Sequence, residues 1–263
     1  MIKCAHELVD VTWTRYEAGE HGPDPHVHRR HADAWYVLEG ELEFGLGADG
    51  EELRRAPAGT LVLVPAGVIH TFRNEGPATA RFLNVHAPST GFAESLRRSG
   101  SDFRWDSFDP PEDGGRSSAD AVVRRPGEGE SIMDGLVVFK AESSDGEGTF
   151  SLTEITLPPG FPGPVPHRHE RTLDSFYVLE GTLTVRLGDH ETSAGPGSSV
   201  AVPPGNVHTF SNRSDGQVRM LNLMAPGGLE QYLKETAHAT PTGELPDPAT
   251  MAEIASRYNF APA

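Results

Sequence analysis

Two runs of the chain set histidines at a spacing that metal chemistry can use. In Pro25-His26-Val27-His28 the imidazoles lie two residues apart, so on a β-strand they project from one face, as two ligands of a single ion must. Asp33 follows, and Pro65-Ala66-Gly67-Val68-Ile69-His70 brings a third imidazole. If the strands carrying them pack face to face, neutral imidazole nitrogens and one carboxylate oxygen converge. That donor set suits iron, manganese, nickel, copper or zinc.

The pattern then recurs. Gly19 through His28 is echoed by Gly160 through His169 at a shift of 141, which also carries Asp33 onto Asp174 and Gly40 onto Gly181. From Gly59 onward the shift is 138, and Pro65, Gly67, His70, Thr71, Phe72 and Asn74 fall on Pro203, Gly205, His208, Thr209, Phe210 and Asn212. The difference of three lies between the motifs, where a loop can lose residues without moving a ligand. One fold used twice is the physical reading of such self-similarity.

These residues resemble the two cupin motifs, G-x(5)-H-x-H-x(3,4)-E-x(6)-G and G-x(5)-P-x-G-x(2)-H-x(3)-N, present in both halves. Gly19 and Gly160 sit one residue early, and the motif glutamate is aspartate in both copies. The Tyr-Val-Leu-Glu-Gly strand ends and the tail helices look most like two-domain cupins of the quercetin 2,3-dioxygenase-like type. The resemblance implies an all-β chain of two double-stranded β-helix (jelly-roll) barrels with short flanking helices. It also implies one divalent transition metal per domain, Fe2+ foremost, with Mn2+, Ni2+, Cu2+ or Zn2+ open. The metal ligands it implies are His26, His28, Asp33 and His70, and again His167, His169, Asp174 and His208.

Asp33 and Asp174 are one methylene shorter than glutamate, which leaves two roles open. Either carboxylate ligates the ion, or it orients a histidine by accepting its N–H; in both cases it is the candidate catalytic base. Trp35, Phe72, Phe176 and Phe210 share strand parity with the ligands. They are core residues first, and they also make a cavity apolar enough for an aromatic ligand. His31 and Glu170 are expected in an exposed loop, and His6, His21, His190 and His238 at the surface. His86 can face inward beside Asn84, but Met224 stands at the matching position.

The elements that must position these groups are short strands. Residues 8 to 18 and 149 to 157 alternate polar with apolar, and Ala34 to Phe44 reads as two strands bent at Gly40, with Leu42 and Phe44 inward and Glu41 and Glu43 outward. Thr60–Val64 and Ser198–Val202 are mostly apolar runs closed by Pro-x-Gly turns. Phe92 to Arg98, Leu229 to Glu235, and Met251, Ile254, Ala255 and Tyr258 read as helices. The expected domains are 1–99 and 121–263, joined by a Pro/Gly/Ser-rich linker over 100–120 that Phe103, Trp105 and Phe108 pin down. Val122 to Lys140 adds strand material that the first copy lacks, so the second barrel is in a position to lend an element to the first.

Of 263 residues, 29 are glycine and 22 proline, in keeping with many tight turns, and the formal charge is −16. A surface that negative repels phosphate backbones and anionic headgroups, so nucleic-acid and membrane partners are not expected. Cys4 is the single cysteine, no apolar run approaches the roughly 20 residues of a membrane span, and a cytoplasmic protein is the expectation. A monomer and a homodimer both remain open. The leading functional expectation is a mononuclear dioxygenase that cleaves an enolisable or flavonol-like aromatic substrate with O2. Two alternatives stand beside it: an oxygen-independent isomerase or decarboxylase, and a non-enzymatic small-molecule-binding protein.

Overall fold

The computed structural model describes residues 1–47, 50–98, 109–111, 115–239 and 247–262. The chain divides into two compact units, Met1–Glu128 with Ser144–Thr149, and Gly129–Ser143 with Phe150–Ala263. The expected aromatic pins Phe103, Trp105 and Phe108 lie outside the described residues.

The first unit contains β1 (Ile2–His6), β2 (Val9–Tyr16), β3 (Ala32–Glu39), β4 (Glu41–Leu46), β5 (Glu52–Pro57), β6 (Leu61–Val64), β7 (His70–Arg73), β8 (Ala80–Ala87), helix α1 (Phe92–Arg97) and β9 (Val122–Arg124). Its sheets run β1-β2-β8-β3-β6-β9 and β5-β4-β7. The second unit contains β10 (Ser131–Ile132), β11 (Val137–Ala141), β12 (Ser151–Leu157), β13 (His167–Arg168), β14 (Leu173–Glu180), β15 (Leu183–Leu187), β16 (His190–Ala194), β17 (Ser199–Val202), β18 (His208–Ser211), β19 (Val218–Ala225), α2 (Glu230–His238), α3 (Pro248–Arg257) and β20 (Ala261–Pro262). Its sheets run β10-β11-β12-β19-β14-β17 and β16-β15-β18-β13-β20. In each unit the non-sequential strand order is that of an antiparallel jelly roll.

The strand material after residue 121 divides between the units. β9 pairs with β6, so the first unit runs on past the boundary expected at 121 and ends at Glu128. Residues 144–149 return to it through Arg124–Asp145 at 2.5 Å and Arg116–Glu147 at 2.7 Å. One inside/outside expectation also needs adjusting. Leu42 and Phe44 are fully buried, but Glu43 is only 7% exposed, because Arg73 covers its carboxylate at 2.6 Å.

Apolar alternation on facing strands builds a separate core in each unit. Trp35, Val37, Leu42, Phe44, Val62, Phe72 and Phe82 pack in the first, and Phe139, Ile155, Phe176, Val178, Val185 and Met220 in the second. α3 buries Ile254 and Ala255 against Met224, Leu229 and Tyr232, as its helical spacing predicts. Among the described residues no helix is long and apolar enough to cross a membrane.

The motif asparagines hold the strand ends. Buried Asn74 donates to the carbonyls of Tyr16, Glu17 and Ala78 at 2.9–3.0 Å and accepts from Gly76 N–H. Asn212 repeats this with Leu157, Pro158, Gly216 and Ser214. Replacing Asn74 by leucine strands several buried polar groups at once. The expected cost is about 2–4 kcal/mol of unfolding free energy, and Asn212→Leu should cost the same. Denaturant unfolding checks both, and a change under about 0.5 kcal/mol would show that these side chains lock nothing.

Candidate metal centre

Backbone register brings the histidines of the two motifs together. His26 and His70 exchange both backbone hydrogen bonds, N to O at 3.1 and 2.9 Å, and His167 on β13 pairs directly with His208 on β18. Residues opposed in this way carry their side chains on the same face. The Pro-x-Gly turn then ties the second histidine of each set. Gly67 N–H donates to the carbonyl of His28, and Gly205 N–H to that of His169, each at 2.7 Å. Both glycines sit at positive φ, +88° and +82°, a conformation that a β-carbon disfavours.

Backbone carbonyls also orient most of these rings. Nδ1 of His26 lies 2.8 Å from Asp24 O, that of His70 3.0 Å from Val68 O, that of His167 2.8 Å from Val165 O and that of His208 3.0 Å from Asn206 O. The partner is every time the carbonyl two residues upstream. A carbonyl only accepts, so Nδ1 carries the proton; Nε2 of His26, His70 and His167 keeps its lone pair, while Nε2 of His208 faces the Asp174 carboxylate at 3.1 Å. Nδ1 of His169 meets Asn259 O at 2.8 Å in the same sense.

Two of the resulting sets are His26–His28–His70 and His167–His169–Asp174–His208, each with donor atoms within 4.8 Å of one another and every residue buried. Seven of the eight expected ligands are therefore gathered at two places, and the eighth, Asp33, lies beside the first set with Oδ2 3.5 Å from His28 Nε2. Burial and the neighbouring His70 and His28 push the His26 pKa down to about 3, and burial with His208 and His169 pushes His167 down to about 4. Those imidazoles are neutral, the form that ligates metal. The donor set thus fits a divalent transition ion, and His70 Nε2, buried with no hydrogen-bond partner among the described residues, is one atom that such an ion would satisfy.

Asp33 and Asp174 lie at the sites and are ionised. Burial alone would raise Asp33, but the imidazoles of His86, His28 and His70 gathered around it hold it well below the usual carboxylate range. Asp174 is lowered against burial by His169 and His208, and the same contact outweighs burial to raise His208. Asp174 Oδ2 is 3.1 Å from His208 Nε2 and 3.6 Å from His169 Nε2. Asp33 Oδ2 is 3.5 Å from His28 Nε2 and 3.8 Å from His70 Nε2. The other oxygen of each is held by an asparagine: Asn84 Nδ2 donates to Asp33 Oδ1 at 2.5 Å, and Asn222 Nδ2 donates to Asp174 Oδ1.

The aromatic expectations are placed as follows. Trp35 is fully buried, with its ring 5.5 Å from His70 and 5.1 Å from Phe72. Phe176 lies 6.3 Å from His208 and 5.2 Å from Phe210. All four pack in the cores, and Trp35 and Phe176 also border a histidine.

One histidine departs from the sequence reading, a second faces inward as that reading allowed, and a third group was absent from it. His31, expected in an exposed loop, is 2% exposed and stacks on His28 at 4.2 Å. His86, also 2% exposed, stands opposite Asp33 in strand register and places Nε2 3.5 Å from its Oδ2. The tail after α3 builds part of the second site. β20 pairs with β13, Phe260 stacks on His167 at 4.3 Å, and Asn259 accepts from Glu170 N–H and donates to Thr172. Glu170 is exposed, as expected, and pairs with Arg168.

Comparison with known proteins adds the family. The cupin-domain profile matches residues 12–86 and 153–224. Bacillus subtilis quercetin 2,3-dioxygenase is 29% identical over 115 residues, 43% of this chain and 33% of that protein. The match thus spans a third of the relative's length. Among solved structures, a mutant of Bacillus subtilis oxalate decarboxylase is similar with a TM-score of 0.55 at 17% identity, covering 93% of this chain and 75% of that one. The 11S globulin from Wrightia tinctoria is similar with a TM-score of 0.58 at 14% identity, covering 84% and 76%. Both structural likenesses concern the fold.

Two predictions follow from this geometry. In the metal-free protein His26, His31 (lowered to about 2 by burial, His28 and His86) and His167 stay neutral where the unfolded chain's histidines gain protons, below about 6.5. The folded state then binds fewer protons than the unfolded one, so stability falls as pH drops from about 6.5 toward about 4. Each such proton is worth about 1.4 kcal/mol per pH unit. Urea unfolding of chelator-treated protein at pH 7.5 and 5.0 measures this, and equal stabilities would refute it. Removing residues 259–263 deletes the acceptor for His169 and the ring over His167. It should weaken metal binding at the second site about 10–100-fold and leave the first site unchanged, as titration with Co2+ can show.

Proposed function

The chain belongs to the cupin-domain family, and on that premise we propose a metal-dependent dioxygenase acting on a small flavonol-like or enolisable substrate with adjacent hydroxyl and carbonyl oxygens. The observation that carries this reading is the convergence of three imidazoles and one ionised carboxylate in His167–His169–Asp174–His208. His26, His28 and His70 would hold a second ion. Such an ion, iron foremost, supplies a redox-active Lewis acid for a chelating substrate and dioxygen.

The chain's own groups do the rest. Asp33 and Asp174 are bases whose Oδ1 is fixed by Asn84 or Asn222, which leaves Oδ2 to take a proton from a substrate hydroxyl or enol. Trp35 and Phe72, and Phe176 and Phe210, offer apolar walls that exclude water and suit an aromatic ring. The buried Trp35 indole N–H has no hydrogen-bond partner among the described residues and is a donor available to a substrate oxygen. The likeness to quercetin 2,3-dioxygenase supports the substrate class.

The same buried carboxylates would serve proton transfer in an isomerisation or decarboxylation, so oxygen dependence is the deciding measurement. Protein reconstituted with Fe2+, Mn2+ or Ni2+ should consume one O2 per flavonol cleaved and stop under anaerobic conditions. Asp174→Asn, with metal content retained, should lower kcat about 10²–10⁴-fold in an active second unit. Undiminished anaerobic turnover would replace the oxygenase by the oxygen-independent enzyme. Metal-loaded protein that turns over nothing in a flavonol and enol screen would leave a binding protein.

A further inference from the structure

The first unit holds more imidazole than one cupin centre uses. His28, His31 and His86 form a second set of buried donors within 4.8 Å of one another, beside the set that His28 makes with His26 and His70. The strand register explains its position. His86 on β8 is opposite Asp33 on β3, so its Nε2 faces the same carboxylate oxygen, at 3.5 Å, that lies 3.5 Å from His28 Nε2. His31 reaches the cluster from the loop before β3, its ring 4.2 Å from His28 and 5.4 Å from His86.

The second unit is an internal control for this arrangement. The residue 141 beyond His31 is Thr172, and the residue 138 beyond His86 is Met224. Met224 occupies the same register opposite Asp174 but packs with Leu229, Tyr232, Ile254 and Ala255. Thr172 accepts from Asn259. One backbone thus presents a second group of nitrogen donors in the first unit and an apolar contact in the other.

We propose that the first unit offers a divalent cation a second seat, His28–His31–His86 with Asp33 alongside, which the second unit lacks. Three imidazoles and a carboxylate oxygen are ligands for Zn2+, Co2+, Ni2+, Cu2+ or Fe2+. A neutral imidazole has one lone pair, so His28 serves one seat at a time. An ion that loses His70 can move to the neighbouring seat without leaving the unit. The proposal rests on the reading that imidazoles of the first unit ligate a cation.

The test loads chelator-stripped full-length protein with Co2+, removes free ion by gel filtration and counts bound equivalents by elemental analysis. Wild type is expected to hold two, one in each unit. His208→Ala should lose one equivalent. His70→Ala should lose none, and His70→Ala with His86→Met should lose one. His31→Thr in the His70→Ala background should match that drop, and both replacements copy residues that the second unit accommodates. A wild type holding two equivalents with His70→Ala at one overturns the second seat and leaves the metal reading standing. Retention of the His70→Ala count in both double variants also overturns it. Wild type holding none overturns the metal reading and the second seat together.

Discussion

The centres depend on a short-range hydrogen bond, from Nδ1 of a histidine to the backbone carbonyl two residues earlier. It recurs at His26, His70, His167 and His208, twice in each unit. Its effect is to set the tautomer: with Nδ1 protonated, the lone pair sits on Nε2 at the far side of the ring. The bond costs the fold little, because it uses a carbonyl already at the strand entrance. The cross-strand pairing of His26 with His70 and of His167 with His208 then sets two such rings side by side, centroids 4.4 Å apart and tilted by 55° and 51°.

Around this pair the two units diverge while keeping one backbone plan. In the second, the carboxylate of Asp174 lies within the donor set and the chain's tail seals the site with Asn259 and Phe260. In the first, the free edge beside His28 pairs instead through Val27 with Asp109, and the space behind Asp33 is filled by His86 and His31. The two aspartates share an asparagine partner and differ in how many imidazoles surround them. Equivalent folds therefore present centres of different composition, in which the ion's charge and the basicity of the carboxylate need not match.

Much of the fold was legible because the signals are local and repeated. Strand alternation, the Pro-x-Gly turns and the helices α1, α2 and α3 follow from residue spacing, and the doubled motif pointed to two units before any contact was known. The turn glycines have a physical reason for being glycine: positive φ at Gly67 and Gly205 aims an amide at the carbonyl of the second histidine. The motif asparagines, by contrast, gave no hint that they bind turns and not ligands, because their partners at Tyr16 and Leu157 lie more than fifty residues away.

By itself the sequence determined which residue types are available and their phase along each strand: two histidines on one face, a carboxylate five residues on, a third histidine after a tight turn, and all of it twice. Only the tertiary structure decided that His31 is buried, that His86 meets Asp33, that β9 belongs to the first unit and that the tail covers His167. These outcomes depend on register between strands far apart in the chain and on which segment fills an open edge. Side-chain periodicity gives the face a residue points to, but not the neighbour waiting there, since that neighbour is chosen by pairing across the sheet.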